Sequence, residues 1–182
     1  MHDKGPIKQA KKQKNFDFSE REYLEGHQFP PYINHRHTMI KLNLPEAQLK
    51  LKREDNRMYV WDYIRLRWVI LTPEEWVRQH FSHWMTEGLG YPKERMGHEI
   101  SLEQNGTQRR ADAVFYDQNG NPQIILEFKA PHISISQKTF DQISRYNMVM
   151  QVPLLIVSNG IQHFCMRIHD TQAEYLPEIP KY

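Results

Sequence analysis

From Met39 onward, short apolar runs alternate with turn signals, and the period of each run says what it is. LKLKRED (49–55) and RMYVWDY (57–63) are β-like runs that flank Asp55-Asn56, which reads as a hairpin tip, and RWVIL (67–71) makes a third strand. A helix then starts at Thr72-Pro73-Glu74-Glu75. Thr72 can cap it, Pro73 suits its first position, and Glu75 stands where a capping box places its acid. Val77, Phe81, Trp84 and Met85 follow at helical spacing, and Gly88 and Gly90 end the run near Leu89. HEISLEQ (98–104) and RRADAVFYDQNGNPQIILEFKAP (109–131) return to strand text, the second folding on Asn119-Gly120, a strong two-residue turn signal. Ser134 or Ser136 opens a second helix, with Phe140, Ile143, Asn147 and Met150 near one face. VPLLIVSNG (152–160) is a buried-strand run, and IQHFCMRI (161–168) is the strand after it. This order predicts an α/β fold: a mixed central sheet flanked by helices, with the N-terminal strands added at one side.

Residues 1–38 lack that periodicity and read as a loosely packed or disordered tail, with a short helix at Ser19–Glu25 at most, ahead of a domain at 39–182. Composition adds little beyond bulk: 39% hydrophobic and 12% aromatic residues, with four Trp, suffice for a core. Charge matters more. The net +2 hides +4 within residues 1–14, which leaves −2 for the rest, so no global positive field marks a nucleic-acid binder and any such contact must be local. Cys165 is the single cysteine, which excludes an internal disulfide framework and a multi-cysteine zinc site. His80 and His83 sit three apart on the first helix. Without a third ligand they read as packing or surface histidines rather than a zinc pair. The basic N-terminus lacks a following apolar stretch, and no run approaches the roughly 20 residues of a membrane helix, so a cytoplasmic protein is expected.

The chemistry is in the hairpin. A tight turn at Asn119-Gly120 places Asp112 opposite Glu127, with Lys129 on the same face two residues on. Two opposed carboxylates between apolar flanks repel unless a positive charge separates them, and a divalent cation held by oxygen ligands resolves the conflict. Glu-x-Lys alone is common on exposed strands; the register and the apolar flanks are what raise its weight. Glu99, at the start of the preceding strand, is a third carboxylate within reach of such an ion. Gln142 and Tyr146 lie four apart on one helix edge, where they could bind a phosphate or fix Lys129.

Taken in order, Asp112, Glu127-Phe128-Lys129 and Gln142…Tyr146 resemble the PD-(D/E)XK nuclease core with its QxxxY extension. LTPEEWVRQHF, RADAVFYD, LEFKAP, ISQKTFDQISRYN and PLLIVSNGIQHF together resemble the N-terminal nuclease domain of type I restriction enzyme R subunits, in a small stand-alone form, over about 39–180. Ala111 stands before Asp112 where that motif has Pro. The resemblance implies a restriction-endonuclease-like core, Mg²⁺ with Mn²⁺ able to substitute, and hydrolysis of DNA phosphodiester bonds. It implies Asp112, Glu127, the Phe128 carbonyl and Glu99 as metal ligands. Lys129 would serve the attacking water and the phosphate, and Gln142 and Tyr146 would support the site. The chain lacks a phosphate loop ending in Lys-Ser or Lys-Thr, so the expected partners are DNA and a motor or specificity protein in trans, or a second copy in a homo-oligomer. Two alternatives stay open: a non-catalytic nucleic-acid-binding or assembly module with a vestigial metal site, and a nuclease acting on RNA or structured nucleic acid.

Overall fold

A computed structural model describes residues 40–104, 106–169 and 172–182. The tail assigned to 1–38, with its short helix, lies outside the described residues. The chain divides into two units, Met1–Lys41 and Leu42–Tyr182, and the second holds every strand and helix described.

Strands β1 (Leu51–Glu54) and β2 (Arg57–Asp62) meet through Asp55 and Asn56, whose φ values of 46° and 63° make the left-handed two-residue turn that matches strand twist. β3 (Arg67–Ile70) completes a three-stranded antiparallel sheet in the order β1-β2-β3. Helix α1 (Pro73–His83) begins as expected, with Thr72 accepting from the Glu75 N–H at 3.0 Å. The capping box is only half formed. The Glu75 carboxylate turns into the protein to meet Arg65, Arg78 and Gln79, because ion pairing there outweighs a return bond to the cap. The helix runs on through a wider π turn, Trp84–Gly88.

A six-stranded mixed sheet follows, in the sequence order β4-β5-β6-β7-β8-β9. Its strands are β4 (Met96–Gln104), β5 (Thr107–Tyr116), β6 (Pro122–Phe128), β7 (Leu154–Ser158), β8 (His163–His169) and β9 (Gln172–Leu176). Only β6 and β7 pair in parallel, joined through helix α2 (Gln137–Met150). β9 is an addition to the strand list that the pattern predicts: its Gln-Ala-Glu-Tyr-Leu is mostly exposed and carries no apolar alternation. Alternation elsewhere sorts the core onto two sides. Val77 and Phe81 of α1 and Met85 of the π turn pack with Phe115, Leu126 and Phe128, while Ile143 and Tyr146 of α2 pack with Val114, Ile125 and Leu155.

The β5–β6 connection is not the tight turn. Tyr116 pairs with Pro122, so Asp117–Asn121 form a five-residue loop in which Asp117 Oδ1 accepts from the Asn119 and Asn121 N–H groups. A bulge next to Tyr116 then restores one residue, and Phe115↔Ile124, Val114↔Ile125 and Ala113↔Leu126 run in the register the tight turn requires. The loop differs and the register at the site does not.

Candidate active site

The β5–β6 register sets Asp112, midway along β5, level with Glu127 near the end of β6. One oxygen of Asp112 accepts from the Phe128 N–H at 2.7 Å, which ties it to the strand residue next to Glu127. Glu127 is 2% exposed. Its Oε1 accepts from Lys129 Nζ at 2.5 Å and from Gln142 Nε2 at 2.6 Å. Gln142 Nε2 also reaches the Tyr146 hydroxyl at 2.9 Å, and its Oε1 is 3.5 Å from Lys129. Asp112, Glu127, Lys129, Gln142 and Tyr146 are therefore one connected group. α2 supplies its two members from successive turns because residues four apart share a helix edge.

Burial, and then the Asp112 charge, push the Glu127 carboxyl up to about 7 against the pull of Lys129. Burial alone would lower the Lys129 ammonium, but Glu127 and Asp112 hold it above its usual range. Glu127 Oε2 is buried without a hydrogen-bond partner. An oxygen in that state suits a hard divalent cation, and an Asp–Glu–carbonyl donor set is the oxygen chemistry Mg²⁺ takes. The Asp112 and Glu127 carboxylates supply oxygens of that kind; the Phe128 carbonyl is the ligand that the resemblance adds. Among the described residues no three His, Cys, Asp or Glu side chains gather closely enough to hold one by themselves.

Glu99 is held elsewhere in this conformation. Its φ is 58°, a left-handed backbone that costs a non-glycine residue about 1–3 kcal/mol. His98↔Ala113 and Ile100↔Ala111 keep the same register on either side, so Glu99 stands level with Asp112 without an inserted residue. Its carboxylate pairs with Arg78 at 2.8 Å and with Arg110.

Arg78 is the residue the sequence reading passes over. It is 3% exposed and its guanidinium meets Glu75 at 2.5 Å, Glu99 at 2.8 Å, Asp112 at 2.8 Å and Glu74 at 3.6 Å. Burial would lower its pKa, and Asp112 and these glutamates raise it instead. The separating cation that the opposed carboxylates call for is thus partly supplied by the chain. A signal was present: a Glu-Glu-x-x-Arg run in the buried first turns of a core helix has nowhere to put its charges except against one another.

A second polar chain lies apart from this group. Asp62 Oδ2 accepts from His98 Nδ1 at 2.8 Å, and His98 Nε2 lies 2.9 Å from Ser82 Oγ. The order resembles a nucleophile relay, but Ser82 is 1% exposed inside α1, so no substrate reaches it. The chain works as a clamp joining β2, α1 and β4. His80 and His83 are likewise structural: His80 donates Nδ1–H to the Trp76 carbonyl and packs on the Trp76 ring, and His83 stacks on Tyr63.

Similarity to known proteins bears on this arrangement. The family described as type I restriction enzyme R protein N terminus matches residues 73–180. The chain belongs to that family. Membership places it with a nuclease-related domain of restriction–modification enzymes, and the matched span runs from the first residue of α1 past the end of β9. Strands β1–β3 precede it. A solved fragment described as an HsdR subunit of a type I restriction enzyme from Vibrio vulnificus YJ016 is 16% identical, with a TM-score of 0.49 over 61% of this chain. The match covers 24% of that Vibrio chain. No curated protein matches. Among the described residues no helix is long and apolar enough to cross a membrane.

Proposed function

We propose that this domain is a Mg²⁺-dependent endonuclease that hydrolyses phosphodiester bonds in DNA, with Mn²⁺ able to substitute. The observation that carries the reading is Glu127: one oxygen is fixed by Lys129 and Gln142, and the other is buried and unpartnered beside Asp112. Asp112, Glu127 and the Phe128 carbonyl would hold the ion, with Glu99 joining directly or through water. The bound ion would polarise the phosphate and make a coordinated water more acidic. Lys129 would orient the attacking water and offset charge developing on the phosphate. Gln142 locks Glu127 and Lys129 in place, and Tyr146 fixes Gln142. The natural partners on this reading are DNA and a motor or specificity protein in trans, or a second copy of the chain.

One observation favours a second reading, a binding or assembly module without a working metal site. Arg78 already neutralises Asp112. Calorimetric titration of Mg²⁺ into wild type and Asp112→Asn, paired with cleavage of supercoiled plasmid by wild type and Asp112→Ala, separates the two. The nuclease reading expects Mg²⁺ binding that Asp112→Asn abolishes and nicking that Asp112→Ala abolishes. Equal Mg²⁺ affinity in wild type and Asp112→Asn, with no nicking, selects the second.

A further inference from the structure

The sheet β1–β3 turns one face inward and one outward. Met58, Val60 and Asp62 of β2 are buried, so Arg57, Tyr59 and Trp61, which alternate with them, share the other face. The register assigns their neighbours. Glu54 stands opposite Arg57, Lys52 and Ile70 flank Tyr59, and Trp68 stands opposite Trp61. Lys50, whose carbonyl accepts from the Trp61 N–H, extends the row. Trp68 is 37% exposed and Ile70 47%. The Trp61 and Trp68 rings meet edge to face with centroids 5.5 Å apart, and Lys52 Nζ lies 5.4 Å from the Tyr59 ring and 5.1 Å from the Trp68 ring. Three aromatic rings and three cations lie on this face, where Glu54 pairs with Lys52 at 2.6 Å and leaves Lys50 and Arg57 as the excess positive charge, and among the described residues no core element covers it.

We propose that this face is a binding platform for single-stranded nucleic acid. Unstacked bases offer π-faces to the rings, and Lys50, Lys52 and Arg57 offer charge to the phosphates, which is how sequence-tolerant strand binding is built. Other occupants fit worse. A two-fold contact between copies sets the same patch against itself and brings lysine towards lysine. An apolar helix leaves Lys50 and Arg57 facing it without a counter-charge. Duplex keeps its bases stacked, where a flat row of rings does not reach them. The face precedes the family match at 73–180, so membership does not account for it. It also goes beyond the nuclease reading, since it binds without cutting.

The test uses the full chain in EDTA with labelled oligo-dT and oligo-rU of about 15 nucleotides, within the site sizes such platforms take. Fluorescence anisotropy should show binding that Trp68→Ala weakens about tenfold and Trp68→Phe largely retains. The logarithm of affinity should fall with the logarithm of salt at a slope of about −2, as three phosphate contacts predict for a single strand. Asp112→Asn should bind like wild type, which separates the platform from the candidate active site. The ratio of the dT and rU affinities tells which sugar is preferred. Absence of binding to both oligomers, equal affinity in wild type and Trp68→Ala, or equally tight binding of duplex overturns the proposal. So does a dimer in sedimentation that Trp68→Ala dissolves, because the face then serves self-association. Since the binding is read without metal, its failure leaves the nuclease reading standing, and absence of plasmid nicking leaves the platform standing.

Discussion

A guanidinium 3% exposed among carboxylates is tolerable only because its charges are paired, and the same holds for the carboxylates. Arg78→Met removes the cation and leaves Glu75, Glu99 and Asp112 facing one another. Breaking a buried pair from one side costs about 3–5 kcal/mol, so metal-free Arg78→Met should melt well below wild type. Divalent metal should then bind more tightly, because nothing competes for Asp112, and Mg²⁺ should restore much of the lost melting temperature. Melts with and without Mg²⁺ check both statements; a variant that Mg²⁺ does not rescue would separate Arg78 from the metal. Gln142 acts differently. Its removal leaves Lys129 on Glu127 Oε1 and so spares the fold. Gln142→Ala should cut plasmid cleavage at least tenfold, roughly 1.4 kcal/mol of transition-state stabilisation, with a melt close to that of wild type.

At the scale of elements, α1 places charge at the candidate centre with one face and holds the core with another. His80, on its core side, is 7% exposed, and burial pulls its ring down from 6.5 to about 4. A depressed folded value means the unfolded chain takes up the proton first. The stability His80 contributes is therefore complete above 6.5 and lost as pH falls towards 4. His80→Gln cannot titrate, so the wild type should lose about 3 kcal/mol relative to it across that window, read by urea melts at several pH values. Asp62 follows the same sign at lower pH. Burial would raise its carboxyl, but His98 and Arg65 hold it well below the usual carboxylate range, so the stability it gives the clamp is complete above 3.8 and lost in stronger acid. The β5–β6 hairpin shows how an element tolerates a misread turn. Asp117 accepting two backbone N–H groups outcompetes the tight turn, and the bulge beside Tyr116 cancels the added residue.

For the whole molecule, both core clusters among the described residues draw on Leu42 and later positions, and residues 1–38 carry no core periodicity. A chain starting at Met39 should unfold within about 3 kcal/mol of the full one, by urea melts of the two; a larger loss would make the tail part of the domain. The order of elements, the hairpin at Asp55-Asn56, the start of α1 and the grouping of Asp112, Glu127, Lys129, Gln142 and Tyr146 were legible in the sequence. Period, capping and strand register account for the elements and for Asp112 opposite Glu127; the resemblance, beyond helical spacing, is what joined Gln142 and Tyr146 to them. Arg78, the bent backbone at Glu99, the inward turn of Glu75 and the added strand β9 were not. Arg78 reaches Asp112 across 34 positions of chain, and Asp62 reaches His98 across 36. Local patterning determined which residues lie on one face; only tertiary packing decided which charges share the interior, because a buried charge takes whatever partner the fold brings within reach.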